Sequence, residues 1–244
     1  MRSTRIHVDL ELVAGGELPL PAPPSTHLLR VLRLRPGAAL TLFNGRGGEY
    51  AAELLGGTAA RAMVRIGAHS PVERESPLQL TLLQGAARGE RMDFIVQKAT
   101  ELGVQRIVPL SCEFSVVRLE AAAVQRRAAH WRTVAIAACE QCGRNRLPVI
   151  DTISDFAAAC ASPAAGLRLM LVPQAPDSLA SLATQAAQVT LLVGPEGGLS
   201  GREQLLAQRS GFRACRLGPR ILRTETAPLA ALAALQTLAG DLAN

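Results

Sequence analysis

Apolar and polar positions alternate near the start of the chain, with Ile6, Val8, Leu10 and Leu12 set against His7, Asp9 and Glu11. That period of two predicts a half-buried strand over 5–12. Pro19, Pro21, Pro23 and Pro24 then interrupt regular structure. Leu40 to Phe43 is a short apolar run followed by Asn44-Gly45 and Gly47-Gly48, the signature of a hairpin turn. Tyr50 to Leu55 and Ala62 to Ile66 supply further strands. A small β-barrel over residues 1–70 fits this pattern better than a helical domain.

Residues 71–76 are mostly polar and read as a linker. Beyond them strands and helices alternate. Leu78, Leu80 and Leu82 open a strand. Met92, Ile95, Val96, Ala99 and Leu102 repeat at helical spacing, and Gly103 closes that helix. Val104 to Leu110 is the next strand. A long helix then carries Trp131, Val134, Ala135, Ala138 and Cys142 on one face. Leu167 to Val172 and Val189 to Val193 are nearly unbroken apolar runs, as strands covered on both faces require. Ser200 and Glu203 have capping-box spacing for a helix that ends at Gly211. Phe212 to Leu217 is a last strand. A final helix with Leu229, Leu232, Leu235 and Leu238 among alanines is apolar almost all round, so it needs cover from the body or a second subunit. The expectation is a small β domain, 1–70, followed by an α/β domain over 71–244 built on a parallel sheet.

With 48% hydrophobic and 19% charged residues the chain can bury a core, which excludes global disorder. No apolar run is long enough to span a membrane, and the alternating start is not a signal peptide, so the expected compartment is the cytoplasm. A net charge of +6 favours an anionic partner. Lys98 is the only lysine among 26 basic residues, so part of that charge reflects a bias in arginine usage. Cys139 and Cys142 form a C-x-x-C with no second pair and no histidine partner. His7, His27, His69 and His130 are scattered, and no metal site is expected.

Candidate chemistry sits at three strand ends: Leu171-Val172-Pro173, the run from Leu192 to Gly198, and the run from Leu217 to Ala227. Ligands of open α/β sheets bind at the carboxyl ends of strands, and glycines there let the main chain come close. Gly194, Gly197, Gly198 and Gly218 suit that role, though each also suits a tight turn before a helix. Neither a P-loop nor the dinucleotide fingerprint is present.

The segments HLLRVLRLRPG (27–37), LFNGRGGEY (42–50), ERMDFIVQKATELGV (90–104), CEQCGR (139–144), LLVGPEGGLS (191–200) and LGPRILRTETA (217–227) occur in this order. Together they resemble the bacterial 16S ribosomal RNA uracil-N3 methyltransferases of the RsmE type, within the SPOUT superfamily of knotted methyltransferases. The likeness runs over essentially the whole chain, and the last two segments are its most specific part. Two departures stand out. Gln84 occupies a position where the family usually has a basic residue, and Cys142 one where serine is common.

The resemblance implies a PUA-like barrel joined to a SPOUT domain whose C-terminal segment forms a trefoil knot. It implies a homodimer that methylates one uridine near the decoding region of small-subunit RNA, with S-adenosylmethionine as cofactor. The implied cofactor residues are Val172, Pro173, Val193, Gly194, Pro195, Glu196, Gly197, Gly198, Leu217, Gly218, Ile221, Leu222 and Arg223.

Uracil N3 is protonated at neutral pH, so the enzyme must accept a proton and stabilise an anion. Arg223 is the candidate cation, with Arg220 and Arg144 as substitutes. Glu225 is the candidate proton acceptor and Glu140 the second choice. An acid at the start of a helix is also favoured by the helix dipole alone. In the barrel, Arg5, Arg30, Arg33 and Arg35 are the expected phosphate contacts, Arg5 and Arg33 first; each could equally be a solvated surface residue. Two other readings remain: a SPOUT enzyme acting on another RNA, and a non-catalytic RNA-binding assembly factor.

Overall fold

A computed structural model of the chain describes residues 4–115, 121–183 and 186–243. They form two compact units, one of residues up to 75 with Cys139–Leu147, the other of Ser76–Ala138 with the chain from Pro148 onward.

The first unit is a five-stranded sheet. Strands β1 (Thr4–His7), β2 (Glu17–Pro19), β3 (Ala39–Phe43), β4 (Glu49–Thr58) and β5 (Arg61–Ser70) lie in the order β1-β3-β4-β5-β2. β1 runs parallel to β3, while β3, β4, β5 and β2 pair antiparallel. The hairpin expected at 44–48 is the β3–β4 connection, with Leu40 opposite Ala52 and Leu42 opposite Tyr50. Ile6, Val8, Leu28, Leu42, Leu54 and Val64 fill its core.

Two expectations change here. The alternation over 5–12 gives a strand of only four residues. After the Val8 N–H reaches Phe43 O, the Leu10 N–H turns back onto Val8 O at 2.9 Å, and that tight turn ends the ladder. The proline-rich segment is not irregular: helix α1 (Ala22–Thr26) continues as a π-helical turn over His27–Val31. Pro21 takes the N-cap position and Pro23 and Pro24 the first turn, where a helix has no use for their missing N–H groups.

In the second unit β6 (Gln79–Gly85), β7 (Arg106–Ser111), β8 (Val149–Ile150), β9 (Ser154–Asp155), β10 (Leu167–Leu171), β11 (Gln188–Val193) and β12 (Arg213–Cys215) make a seven-stranded sheet, parallel throughout. Its order is β12-β10-β11-β6-β7-β8, with β9 also on β7. Helices are α2 (Glu90–Glu101), α3 (Ala121–Cys142), α4 (Phe156–Ala161), α5 (Leu179–Leu182), α6 (Gly201–Arg209) and α7 (Thr226–Ala239). The period-two alternation explains the two cores. Leu80, Leu82, Leu169, Val189, Leu191 and Val193 pack with α2 and α7 residues such as Ile95, Leu232 and Leu235. Leu83, Met170 and Leu192 pack with Phe156, Ala207 and Phe212.

The last strand is shorter than its apolar pattern suggests, and within this chain the body covers one face of α7. Ala231, Leu232 and Leu235 are inside, and Leu238 is exposed. Among the described residues no helix is long and apolar enough to cross a membrane.

Candidate active site

β12, β10 and β11 are neighbours and run in one direction, so their carboxyl ends share an edge of the sheet. The loops that leave those ends close one cavity of about 660 Å3, well within the roughly 300–1,000 Å3 that small-molecule sites occupy. Leu171 and Cys215 contribute from the ends of β10 and β12, and Val172, Pro173 and Gln174 from the loop after β10. Gly194 to Leu199 contribute from the loop after β11, and Leu217, Gly218 and Arg220 to Glu225 from the segment before α7. Every residue implied for the cofactor lines this one cavity.

Local chemistry fixes the walls. The Gly198 N–H bonds Pro195 O at 2.9 Å and closes a turn. Ser200 and Glu203 then complete the predicted capping box and start α6. The Glu203 carboxylate also accepts the main-chain N–H of Glu113, which ties the chain beyond β7 to α6. The glycines serve two different ends. A Cβ at Gly194 would lie 2.9 Å from the Gly198 carbonyl carbon, so the loop itself fills that space. At Gly218 nothing lies within 4 Å, and the requirement is instead the left-handed backbone, φ +72°. Both reasons are intramolecular and hold whatever ligand the cavity takes.

Arg91, in the first turn of α2, supplies a cation that sequence reasoning missed. Its Nη1 lies 2.9 Å from Glu196 Oε1, and its Nε lies 3.9 Å from Glu225 Oε2. The main-chain N–H of Arg88 donates to the same Glu196 oxygen at 3.0 Å. Partial burial pushes the Glu196 carboxyl up. The Arg88 and Glu196 N–H groups and the Arg91 guanidinium outweigh that push and hold it below the ordinary carboxylate range. Glu225 occupies the N-cap of α7 but makes no side-chain cap bond, so capping does not account for it. Arg223 is exposed, and among the described residues its guanidinium has no ion-pair partner. Three arginines, Arg91, Arg220 and Arg223, and two carboxylates, Glu196 and Glu225, therefore line one glycine-walled cavity.

The chain matches the model of an RNA methyltransferase domain over residues 74–236 and that of an RNA methyltransferase PUA domain over 25–60. It is 32% identical over 242 residues to ribosomal RNA small subunit methyltransferase E of Buchnera aphidicola, covering 99% of this chain and 98% of that protein. The chain belongs to the ribosomal RNA small subunit methyltransferase E family.

Two solved structures agree with that membership. A Neisseria gonorrhoeae ribosomal RNA small subunit methyltransferase E bound to S-adenosylmethionine is 38% identical, with a TM-score of 0.91 over 99% of this chain and all of that one. A methyltransferase from Legionella pneumophila in complex with the same cofactor is also 38% identical, with a TM-score of 0.96 over the same shares. The mixed α/β fold with its parallel sheet and PUA-like unit is that of this methyltransferase family.

Within a methyltransferase of this family the remaining candidates separate clearly. Arg144 does not line the cavity. Its side chain is 4% exposed and its Nη2 lies 2.6 Å from Glu75 Oε2, inside the first unit. Glu140 is in the same unit, where its carboxylate accepts the His7 N–H at 2.9 Å; burial pushes its pKa up despite that bond. Neither is among the residues that line the cavity, and both side chains are engaged within the first unit. Their segment, Cys139–Leu147, packs with the first unit through contacts distant in sequence, which motif reading does not reveal. Arg5 is engaged likewise: it pairs with Glu49, donates to Asn145 Oδ1 at 2.6 Å and stacks on the Phe43 ring, leaving its side chain 10% exposed.

Arg30, Arg33 and Arg35 are exposed on the π-helical turn and the loop after it, not on a strand. Arg33 is the only non-glycine among the described residues with a left-handed backbone, φ +52°. Cys139 is buried and its thiol is pushed up to about 12, chiefly by desolvation, which fits packing rather than redox chemistry. Among the described residues no three His, Cys, Asp or Glu side chains are grouped to hold a metal.

Proposed function

We propose that this RNA methyltransferase uses S-adenosylmethionine to methylate N3 of one uridine in 16S ribosomal RNA of the small subunit. The observation that carries the reading is the cavity in which three strand-end loops and the first turn of α2 bring Arg223, Glu225 and Arg91 together. The cavity fits the cofactor by size and by its apolar walls, Leu171, Val172, Val193, Leu217 and Leu222. Val172, Pro173, Val193 to Gly198, Leu217, Gly218, Ile221, Leu222 and Arg223 would hold it. When bound, S-adenosylmethionine supplies a methyl group on a sulfonium, an electrophile that needs no Lewis acid, so activity should persist in EDTA.

The chain's residues then answer the needs of the uracil. Glu225 accepts the N3 proton. Arg223 sets positive charge beside O2 or O4, which favours the anion. Arg91 holds Glu196 and steadies Glu225. Mass spectrometry of 16S RNA from a deletion strain tests the whole reading: one methyluridine should vanish and return with the gene. An unchanged methylation pattern would refute it.

The same reading makes the first unit the RNA-binding one, with Arg30, Arg33 and Arg35 on phosphates in place of Arg5. Replacing all three with alanine should weaken RNA binding and lower the salt slope by about 2 log units per log unit of salt. Cofactor affinity should not change. A triple variant with wild-type RNA affinity at every salt concentration would remove this assignment. A cytoplasmic homodimer and a trefoil knot in the C-terminal segment complete the proposal. The exposed Leu238 and Leu242 support the dimer, and a monomer mass by light scattering would overturn it.

A further inference from the structure

The segment from Leu217 to Leu222 lies against the cavity, yet among the described residues no main-chain hydrogen bond joins it to the rest of the fold. Its residues from Gly218 to Ile221 are exposed. Among the described residues, the main-chain and side-chain hydrogen bonds that hold it flank it on either side, and Leu217 packs on the core. At the start, the Arg216 N–H donates to Asp177 O at 2.9 Å, and Arg216 O accepts the Leu179 N–H at 3.0 Å. At the end stands Thr224, a buried residue between exposed Arg223 and half-buried Glu225.

The Thr224 hydroxyl donates its single proton to Gly194 O at 2.9 Å. Its lone pairs face Gln84 Nε2 at 3.3 Å, and that fully buried amide also reaches Gly85 O at 3.0 Å and Gly194 O at 3.4 Å. One buried knot of polar groups thus joins the end of β6, the loop after β11 and the end of the segment before α7. Packing alone does not call for it. Gln84 Oε1 is buried with no hydrogen-bond partner, and an apolar side chain of the same length would avoid that cost.

We propose that Gln84 and Thr224 form a latch that positions Arg223 and Glu225 for methyl transfer, while the exposed segment before them stays free to admit the cofactor. This rests on the function proposed above. Their role is positioning: they fix the main chain on which the cation and the proton acceptor are mounted. A displacement of 1 Å at reacting groups is enough to lose a large factor in rate.

The test is single-turnover methyl transfer, with cofactor affinity measured separately by calorimetry. Thr224→Val removes the hydroxyl and keeps the shape. Its rate should fall about 30-fold while the cofactor Kd rises less than about threefold. Thr224→Ser, which keeps the hydroxyl, should recover most of the rate. Gln84→Met leaves the bond from Thr224 to Gly194 O and should cost about fivefold, and the double variant should lose little more than Thr224→Val alone. The proposal is overturned if a folded Thr224→Val protein keeps its rate, if its loss is entirely one of cofactor affinity, or if Thr224→Ser fails to rescue it. Should Thr224→Val not fold, Gln84→Met decides: full activity there overturns the latch.

Hydrogen exchange without cofactor gives a readout independent of the proposed reaction. The amides of Thr226 and Ala227 both bond Arg223 O at 2.9 Å, so an open latch should speed their exchange about tenfold in Thr224→Val. If the wild-type protein neither binds S-adenosylmethionine nor methylates RNA, the proposed function fails. The exchange rates still decide the latch, and unchanged rates overturn it.

Discussion

Glu225→Gln should lower the single-turnover rate of methyl transfer by about 100-fold, with cofactor affinity held within about threefold. The carboxylate lines the cavity and lies 3.9 Å from the Arg91 guanidinium. Glutamine keeps its size and hydrogen-bonding shape but cannot take a proton at neutral pH. The N-cap position of Glu225 offers a competing explanation, that the acid serves only to start α7. The geometry weighs against it, because the backbone is helical (φ −81°, ψ −25°) and the side chain accepts no cap bond. The helix dipole still favours an acid there, so a small fall in melting temperature is compatible with a catalytic role. The rate, not the stability, is the deciding quantity. The variant should also lose the pH dependence of the wild-type rate. Arg223→Ala should show a loss of similar size, as expected when the charge that stabilises the uracil anion is removed. A Glu225→Gln enzyme that keeps more than half its rate would pass the proton to solvent and leave Glu225 a structural acid.

The parts of this molecule legible in its sequence are those set by local rules. Nearly unbroken apolar runs such as Val189 to Val193 marked buried parallel strands, and the serine and glutamate of the α6 capping box are joined as their spacing requires. The cavity wall was legible for the same reason, since strand-end loops rich in glycine are contiguous in sequence. What stayed hidden depends on partners far along the chain. Nothing around Arg5 announces that Asn145, 140 residues away, will bind its guanidinium. Arg144 looked available from its motif because its partner Glu75 lies 69 residues earlier. Nothing local marks Arg91 either, because its partner Glu196 lies 105 residues further on. The proline-rich helix was missed for a different reason: a proline forbids helix interior but suits a first turn, and spacing alone does not distinguish the two.

Gly194→Ala should raise the cofactor Kd by at least about 100-fold, and Gly218→Ala by only about tenfold. The difference follows from what each added methyl meets. At Gly194 it would press on main chain, 2.9 Å from the Gly198 carbonyl carbon and 3.0 Å from the Leu199 nitrogen. The turn closed by Gly198 and Pro195 cannot yield without moving Pro195, Glu196 and Gly197, all of them cavity wall. At Gly218 the space is open and the penalty is that of a left-handed alanine, on the order of 1–2 kcal/mol, part of which the exposed segment can relax. Gly85 offers a second test of the same reasoning from a residue outside the cavity lining. A methyl there would stand 2.5 Å from Pro195 Cδ and 2.9 Å from the Gly194 carbonyl carbon, so Gly85→Ala should match Gly194→Ala rather than Gly218→Ala. Calorimetric titration of the three folded variants with S-adenosylmethionine reads the order directly. Wild-type affinity in a folded Gly194→Ala protein would place the cofactor elsewhere, and a Gly218→Ala defect larger than that of Gly194→Ala would mean that ligand contact, not the packing of the loop against itself, sets the requirement for glycine.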